Sequence, residues 1–194
     1  MYLKLTAKIP PSVNHYLAYR VSRGGKGKRF VQTYKTQDAI SYEKYFKKYL
    51  EEEIKKQGWT CVDSGYVVIE VNWFFESNRR DSNNYYKVLL DCMNTRVFKD
   101  DKQALEKTVN IFIDSKNPRA EILIYKSDKI GVFQNKEEKQ KFCLSNCCLC
   151  SKKSSSCSIL KKLLDNRIIE EVDIHNNKCF KIKIRKNKKE LPAS

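Results

Sequence analysis

Acidic, amide and lysine side chains are concentrated between residues 79 and 101 of this chain. The residues whose types suit chemistry there are Asp81, Asn83, Lys87, Asp91, Asp100 and Asp101. Carboxylate and amide oxygens are ligands for Mg²⁺, which polarises a phosphate and activates a water molecule. An ammonium group nearby would offset the charge that develops during phosphoryl transfer. The segment therefore predicts a metal-dependent site for phosphate chemistry.

A purely structural explanation of the same residues is also open. Asp81 could cap a helix, and Lys87 could form a surface ion pair with Asp91 four residues later. Asp100 and Asp101 could simply form a turn. The spacing alone does not decide between these roles and catalysis.

The charge of the chain favours a polyanionic partner. The 194 residues carry a formal net charge of +16, from 39 Lys and Arg against 23 Asp and Glu. Residues 1–37 contain no acidic residue, and Lys26, Lys28 and Arg29 lie in a glycine-rich basic loop. A positive field of this kind attracts phosphate backbones, although surface lysines can also serve only solubility. We expect these three residues to contact nucleic acid.

Apolar periodicity predicts strands with period two and two main helices. The predicted elements are a strand over 3–9, a hairpin tip over 22–29, a helix from Thr36 to Gly58, a strand over 66–76, a helix over 84–94 and strands over 105–113 and 119–126. This order favours an α/β (α+β) domain with a mixed β-sheet.

The composition changes after Lys126. We expect a core domain over residues 1–127, a charged linker over 128–142, a Cys-rich and Lys-rich extension over 143–185 and a frayed tail over 186–194. Within the extension, residues 159–164 favour a helix. A hairpin is expected across residues 175–178.

Six of the eight cysteines lie in the extension. Cys147 and Cys150 have metal-ligand spacing, and Cys143 and Cys157 could complete a four-thiolate structural Zn²⁺ site. The alternatives are free thiols and an iron–sulfur centre. The start of the chain alternates like a strand rather than a signal peptide, and no apolar run could span a bilayer. We therefore expect a cytoplasmic protein without disulfides.

Two stretches resemble the signature of RusA-type Holliday junction resolvases. They read Arg80-Asp81-x-Asn83-Asn84-x-x-Lys87-x-x-x-Asp91 and Val97-Phe98-Lys99-Asp100-Asp101-x-Gln103. The stretch from Ile9 to Asn14 and the triplet Tyr34-Lys35-Thr36 are similar to the same family. The resemblance covers residues 1–127 in consistent order.

The resemblance implies a RusA-like fold and a homodimeric endonuclease that resolves four-way DNA junctions with Mg²⁺, for which Mn²⁺ can substitute. By the same resemblance, Asp81, Lys87 and Asp101 match the catalytic residues. Asp91 matches a carboxylate on the helix face. Arg80 matches a basic residue that contacts DNA, and Asn14 and Arg79 are expected to contact DNA beside it.

One residue departs from the family's pattern. The family usually has Asp-x-Asp-Asn, whereas this chain has Asn83 at the second acidic position. An amide oxygen can still bind Mg²⁺, but one formal negative charge is lost. Two functions therefore stay open beside each other: a competent nuclease, and a non-catalytic junction-binding protein with a degenerate metal site. A regulatory zinc protein built on residues 143–185 is a third.

Overall fold

The computed structural model describes residues 1–23, 25 and 28–184, which fall into two compact units divided after Ser127. The predicted DNA contact Lys26 and the predicted tail over 186–194 lie outside the described residues. Each unit has a hydrophobic core of its own.

The first unit is built on a four-stranded mixed sheet with the order β1-β6-β4-β5. The elements of this unit are β1 Tyr2–Ala7, α1 Val13–Tyr16, β2 Leu17–Arg23, β3 Arg29–Lys35, α2 Gln37–Gln57, β4 Val67–Phe75, α3 Asn83–Met93, β5 Ala104–Ile113 and β6 Arg119–Lys126. Strand β6 is antiparallel to both β1 and β4, whereas β5 is parallel to β4. Mixed pairing with two main helices confirms the predicted α/β (α+β) class.

Strands β5 and β6 follow each other along the chain but do not pair. The turn between them was predicted over residues 114–118, and the strands that it joins lie on opposite sides of β4. β4 is therefore a central strand. It buries Val67, Ile69, Val71, Trp73 and Phe75 and leaves the alternate residues partly exposed.

Helix α3 covers the buried face of β4, and helix α2 packs against β1 and α3. Trp73 packs against the rings of Tyr85 and Tyr86, with ring centroids 5.8 and 5.4 Å apart. Helix α2 begins where the Thr36 hydroxyl accepts a hydrogen bond from Ala39 N, and it ends at Gly58, whose φ of +68° suits glycine. Among the described residues, no helix is long and apolar enough to cross a membrane.

Strands β2 and β3 form a separate antiparallel hairpin, paired from Leu17 with Lys35 to Arg23 with Arg29. Nearly every residue of the hairpin is exposed. Its base is closed by Thr36 N, which donates to Tyr16 O over 3.1 Å.

The second unit contains two short helices and a short hairpin. Its elements are α4 Lys136–Phe142, a π-helical turn Cys143–Cys147, α5 Ser158–Leu164, β7 Val172–Asp173 and β8 Lys178–Cys179. The buried residues Phe133, Phe142, Leu163 and Val172 form its core.

The expectation that residues 128–142 are only a linker is wrong. Asn135 caps α4 by accepting from Glu138 N over 2.8 Å, and Phe133 and Phe142 are buried on either side of that cap. Gly131, with φ +59°, lies against α5 so closely that a Cβ there would come 2.1 Å from Leu163 O. Charged residues dominate the composition of residues 128–142. The few apolar residues that hold this segment to the core of the second unit are therefore not evident from the sequence.

Candidate active site

Helix α3 presents one polar stripe to solvent. Asn83 and Lys87 are exposed, and Asp91 is half-buried one turn further on. Their spacing of four residues places them on the same face of the helix. The rest of α3 is mostly buried, because its aromatic and aliphatic residues pack into the core. The fold therefore fixes the side of α3 on which the charged groups lie.

Lys87 joins two carboxylates from different parts of the chain. Its Nζ lies 2.6 Å from Asp91 Oδ1 and 3.9 Å from Asp101 Oδ2. The hydrogen bond to Asp91 raises the pKa of Lys87, and the negative charge of Asp101 adds to the effect. Lys87 is therefore a protonated ammonium group held between Asp91 and Asp101.

Asp100 and Asp101 have different surroundings. Asp100 Oδ1 accepts from Lys102 N over 3.0 Å, and Gln103 Oε1 accepts from Asp100 N over 3.0 Å. This reciprocal capping box begins the 3₁₀ turn Asp101–Gln103. The backbone hydrogen bond from Lys102 lowers the pKa of Asp100. Asp100 thus holds the turn, and Asp101 approaches Lys87.

Asp81 lies between β4 and α3, at the start of the helix. Its Oδ1 accepts from Asn83 N over 3.0 Å, and its carbonyl accepts from Asn84 N over 3.1 Å. The N-cap residue of α3 is Ser82, so Asp81 is not itself the helix cap, although its side chain accepts from the first N–H of the helix. The preceding residue, Arg80, pairs with Glu76, and this contact raises the pKa of Arg80.

The expected oxygen ligands do not form one ready-made cluster. Across residues 1–23, 25 and 28–184, no three or more His, Cys, Asp or Glu side chains lie together in a way that could hold a metal ion. The structure brings Asp91 and Asp101 to the same ammonium group, and Asp81 does not complete a group with them. Carboxylate oxygens nevertheless suit Mg²⁺, so the chemistry of these donors fits a divalent cation.

Sequence reasoning missed Tyr16 as part of this site. Its hydroxyl donates to Glu43 Oε1 over 2.9 Å and also lies 3.4 Å from Asp91 Oδ2. The ring is buried, and burial raises the pKa of the Tyr16 hydroxyl. Tyr16 thus remains protonated and connects α2 to the polar stripe of α3.

Glu43 was also missed, although it is the most heavily paired carboxylate near the site. It accepts from Lys35, from Tyr16 and from Lys47, whose Nζ is 3.3 Å from Oε2. Burial opposes ionisation of Glu43, but these hydrogen bonds outweigh it and lower its pKa. The Lys35 ammonium also lies 5.1 Å from the centre of the Tyr16 ring. The feature of the sequence that could have pointed to Glu43 is its spacing of four residues from Lys47 along α2.

The other expected DNA contacts lie on the surface. Asn14, Lys28, Arg29, Arg79 and Arg80 are all exposed. Of these residues, Arg80 lines a groove of about 390 Å³, whose walls also include Pro10, His15, Tyr42, Phe75 and Tyr85. Asp38 and Glu76 also line it, so the charge of this groove is mixed.

The structure does not support the expected zinc site. None of Cys143, Cys147, Cys150 and Cys157 is in a disulfide, and the described part of the chain shows no group of three or more side chains placed to hold a metal ion. Burial, followed by the nearby Cys143, raises the pKa of Cys147 to about 12. Cys157 and Cys179 contribute to the same shift, so several thiols lie near Cys147, although they do not form an assembled metal site in the described residues.

Comparison with known proteins identifies the first unit. The family model of endodeoxyribonuclease RusA matches residues 9–125, which run from just after β1 almost to the end of β6. No curated protein matches the chain. The match includes α3, the turn at Asp101 and the missed residues Tyr16 and Glu43, and it confirms the resemblance drawn from the sequence. The chain belongs to the RusA endodeoxyribonuclease family.

Proposed function

We propose that this protein is a structure-specific endodeoxyribonuclease that resolves four-way DNA junctions by Mg²⁺-dependent hydrolysis, in recombination and repair. The observation that carries the proposal is the placement of Lys87 between Asp91 and Asp101 in a chain of the RusA family. Nucleases of that family are generally dependent on divalent metals.

The charge of the site suits a divalent cation. Asp91 and Asp101 contribute two negative charges, and Lys87 contributes one positive charge. Asp81 brings a further carboxylate from the start of α3. The four groups together carry a net charge of about −2, since carboxylates and ammonium groups are ionised at neutral pH. A cation would reduce the repulsion that these carboxylates exert on a DNA phosphate.

Each charged residue of the site has its own role in the proposed reaction. Asp81 and Asp101 would be the main metal ligands, with Asn83, Asp91 and Asp100 as further oxygen donors. When bound, Mg²⁺ supplies polarisation of the phosphate and a lower pKa for the attacking water. Lys87 donates hydrogen bonds to the phosphate as negative charge develops, and Asp91 orients the ammonium group by the 2.6 Å contact.

We also propose that the protein acts as a homodimer, because two symmetric cuts require two equivalent sites. Strand β5 supports this proposal. It lies at the edge of the sheet and exposes Val109, Ile111 and Ile113. An exposed apolar edge strand is a ready surface for pairing with a second copy. Ile111→Lys should shift the mass measured by light scattering from dimer to monomer, whereas Lys116→Ala in the following turn should not.

A junction-binding protein without turnover is the second candidate. Two observations favour it: Asn83 replaces the family's acid, and the described residues show no assembled group of metal ligands. Such a protein would bind four-way junctions through its basic surface and leave them intact.

Cleavage of a synthetic four-way junction across a series of divalent cations distinguishes the candidates. We expect the wild type to cut with Mg²⁺ or Mn²⁺. Asp81→Asn and Lys87→Ala should each slow cutting by about 100-fold or more and leave junction binding largely intact. Lys55→Ala is a matched control, because Lys55 is an exposed lysine in the last turn of α2 and pairs with none of the proposed site residues.

The possible results of this cleavage assay lead to different conclusions. Cutting by both site variants at the wild-type rate would show that the site is assigned wrongly. Tight binding without cutting by the wild type, under every cation, would favour the junction-binding protein.

A further inference from the structure

The hairpin of β2 and β3 is the largest feature of the first unit that the proposed catalytic site does not explain. Within the described residues, its two strands pair only with each other. A two-stranded hairpin is marginal in water by itself. Its length and exposure therefore indicate that it has a partner.

Three aromatic rings on this hairpin are exposed to solvent. Tyr19 is 72% exposed, Phe30 51% and Tyr34 50%. Because successive residues of a strand point to opposite faces, Phe30 and Tyr34 lie on the same face, with Gln32 between them. Arg20 pairs with Gln32 in the register and so lies on that face as well. The face thus carries two rings about 13 Å apart along the strand with a guanidinium group between them.

The charge of the hairpin selects a polyanion as its partner. Its two strands contain Arg20, Arg23, Arg29 and Lys35 and no acidic residue. Arg23 and Arg29 lie directly opposite each other in the register. Like charges in that position are destabilising, and a bound anion would relieve the repulsion. A second copy of the same hairpin would instead add positive charge to positive charge.

The base of the hairpin is attached to the candidate active site. Tyr16, which contacts Asp91, immediately precedes β2. Lys35, the last residue of β3, pairs with Glu43. The hairpin therefore extends from the same hydrogen-bonded group that holds Lys87, and a nucleic acid lying along it would reach the site.

We propose that this hairpin is an arm that binds unpaired bases of the DNA substrate, with Phe30 and Tyr34 stacking on bases and Arg20, on the same face between them, contacting the backbone. The inference rests on the proposed function, which makes DNA the substrate. Aromatic side chains in a basic setting bind single strands with little sequence preference, since every base offers a face for stacking. Four-way junctions that open at the crossover would supply such bases.

Fluorescence of the full-length Phe30→Trp variant tests stacking directly. The native residues Trp59 and Trp73 are buried, so the new tryptophan would report contact with DNA. We expect an oligothymidine single strand, in the absence of divalent metal, to quench its emission much more than a duplex does. Equal quenching by the two forms, or none, would overturn the stacking role.

Binding measurements without metal give a second test. Removing both rings in Phe30→Ala/Tyr34→Ala should weaken binding of the single strand by about tenfold or more, with a smaller effect on duplex. Phe30→Tyr should retain the affinity. Phe180→Ala is the matched control, because Phe180 is a phenylalanine of similar exposure, 54%, in the second unit.

These tests separate the arm from the nuclease function. Unchanged single-strand affinity in a double variant that keeps the wild-type circular dichroism would overturn the inference, even if the wild type cuts junctions. A double variant that changes from dimer to monomer would overturn it too, because the hairpin would then be a protein interface. Quenching and ring-dependent binding by a protein that cuts nothing would support the arm and refute the nuclease.

Discussion

The hydroxyl of Tyr16 lies 3.4 Å from Oδ2 of Asp91, the carboxylate that holds Lys87. The same hydroxyl donates to Glu43 over 2.9 Å, so its one proton faces two carboxylates. The contact joins residues 75 positions apart in the sequence. It places the second oxygen of Asp91 within reach of that proton while the first oxygen accepts from Lys87.

Tyr16→Phe should reduce the rate of junction cutting without weakening junction binding. The variant keeps the buried ring and removes one hydrogen bond, which is worth about 1 kcal/mol and hence about fivefold in rate. We expect this loss in kcat, with KM unchanged, because Tyr16 orients Asp91 and does not itself bind the substrate. Single-turnover kinetics on a four-way junction would measure it.

Tyr42→Phe is the control for that variant. Tyr42 is also a buried tyrosine with a hydrogen bond, donated to Lys8 O over 3.2 Å, and its hydroxyl is not joined to Asp91. Equal losses of kcat in both variants would mean that Tyr16 acts only through general stability.

Asn83→Asp should allow cutting at lower Mg²⁺ concentration. Asn83 is exposed in the first turn of α3, where the helix dipole tolerates a negative charge, and its backbone already contacts Asp81. The added carboxylate increases the attraction for the cation. A Mg²⁺ titration of the cutting rate would show the shift, and an unchanged midpoint would exclude Asn83 from the metal site. Activity that appears only in the variant would identify the natural chain as a junction-binding protein.

The sequence predicted the charged residues of this site but not the residues that position them. Asp81, Lys87 and Asp101 lie in a short acidic segment, and residue types and spacing make them visible. Tyr16 and Glu43 belong to α1 and α2, and only folding brings them to Asp91. The different roles of Asp100 and Asp101 could not be predicted either. Only the folded backbone shows that Asp100, and not Asp101, accepts a hydrogen bond from Lys102 N.

Glu43→Gln should destabilise the protein at neutral pH and much less in acid. The pKa of Glu43 is lowered in the folded state, so ionised Glu43 stabilises the fold above its unfolded pKa of about 4.3. That stabilisation is lost as the pH falls through the folded pKa. We expect the variant to lose about 1–3 kcal/mol in the free energy of unfolding at pH 7. The gap between variant and wild type should close below about pH 4, as measured by urea denaturation.

Glu52→Gln provides the comparison for this pH series. Glu52 is exposed on the same helix as Glu43. Its replacement should change stability by less than about 0.5 kcal/mol at any pH. A gap for Glu43→Gln that stays constant from neutral to acid pH would contradict the assigned ionisation of Glu43.

The cysteines should differ widely in their reaction with iodoacetamide. Burial raises the pKa of Cys92 and of Cys147 to about 12, so little thiolate is present at pH 8. Cys148 is exposed. Mass mapping should therefore find Cys148 alkylated before Cys92 and Cys147 in the folded protein, and all three alkylated alike in urea. Early alkylation of Cys147 would contradict its burial.

The fold was predictable where one pattern determined one element. The alternation over residues 66–76 identified β4, and the apolar stripe that ends at Gly58 identified α2. The order of the strands was not predictable, because a short turn between β5 and β6 is also what a hairpin would show. The helix α4 was missed because its apolar anchors, Phe133 and Phe142, are outnumbered by charged residues.

Lys87 and Asp91 belong to a helix whose opposite side is locked into the core through Trp73 and its neighbours on β4. The polar stripe therefore cannot rotate about the helix axis without breaking that packing. Changes deep in the interior, such as Leu89→Ala, should alter the geometry of the ammonium group although they touch no charged residue. The rate of junction cutting would then depend on how well the apolar interior is packed.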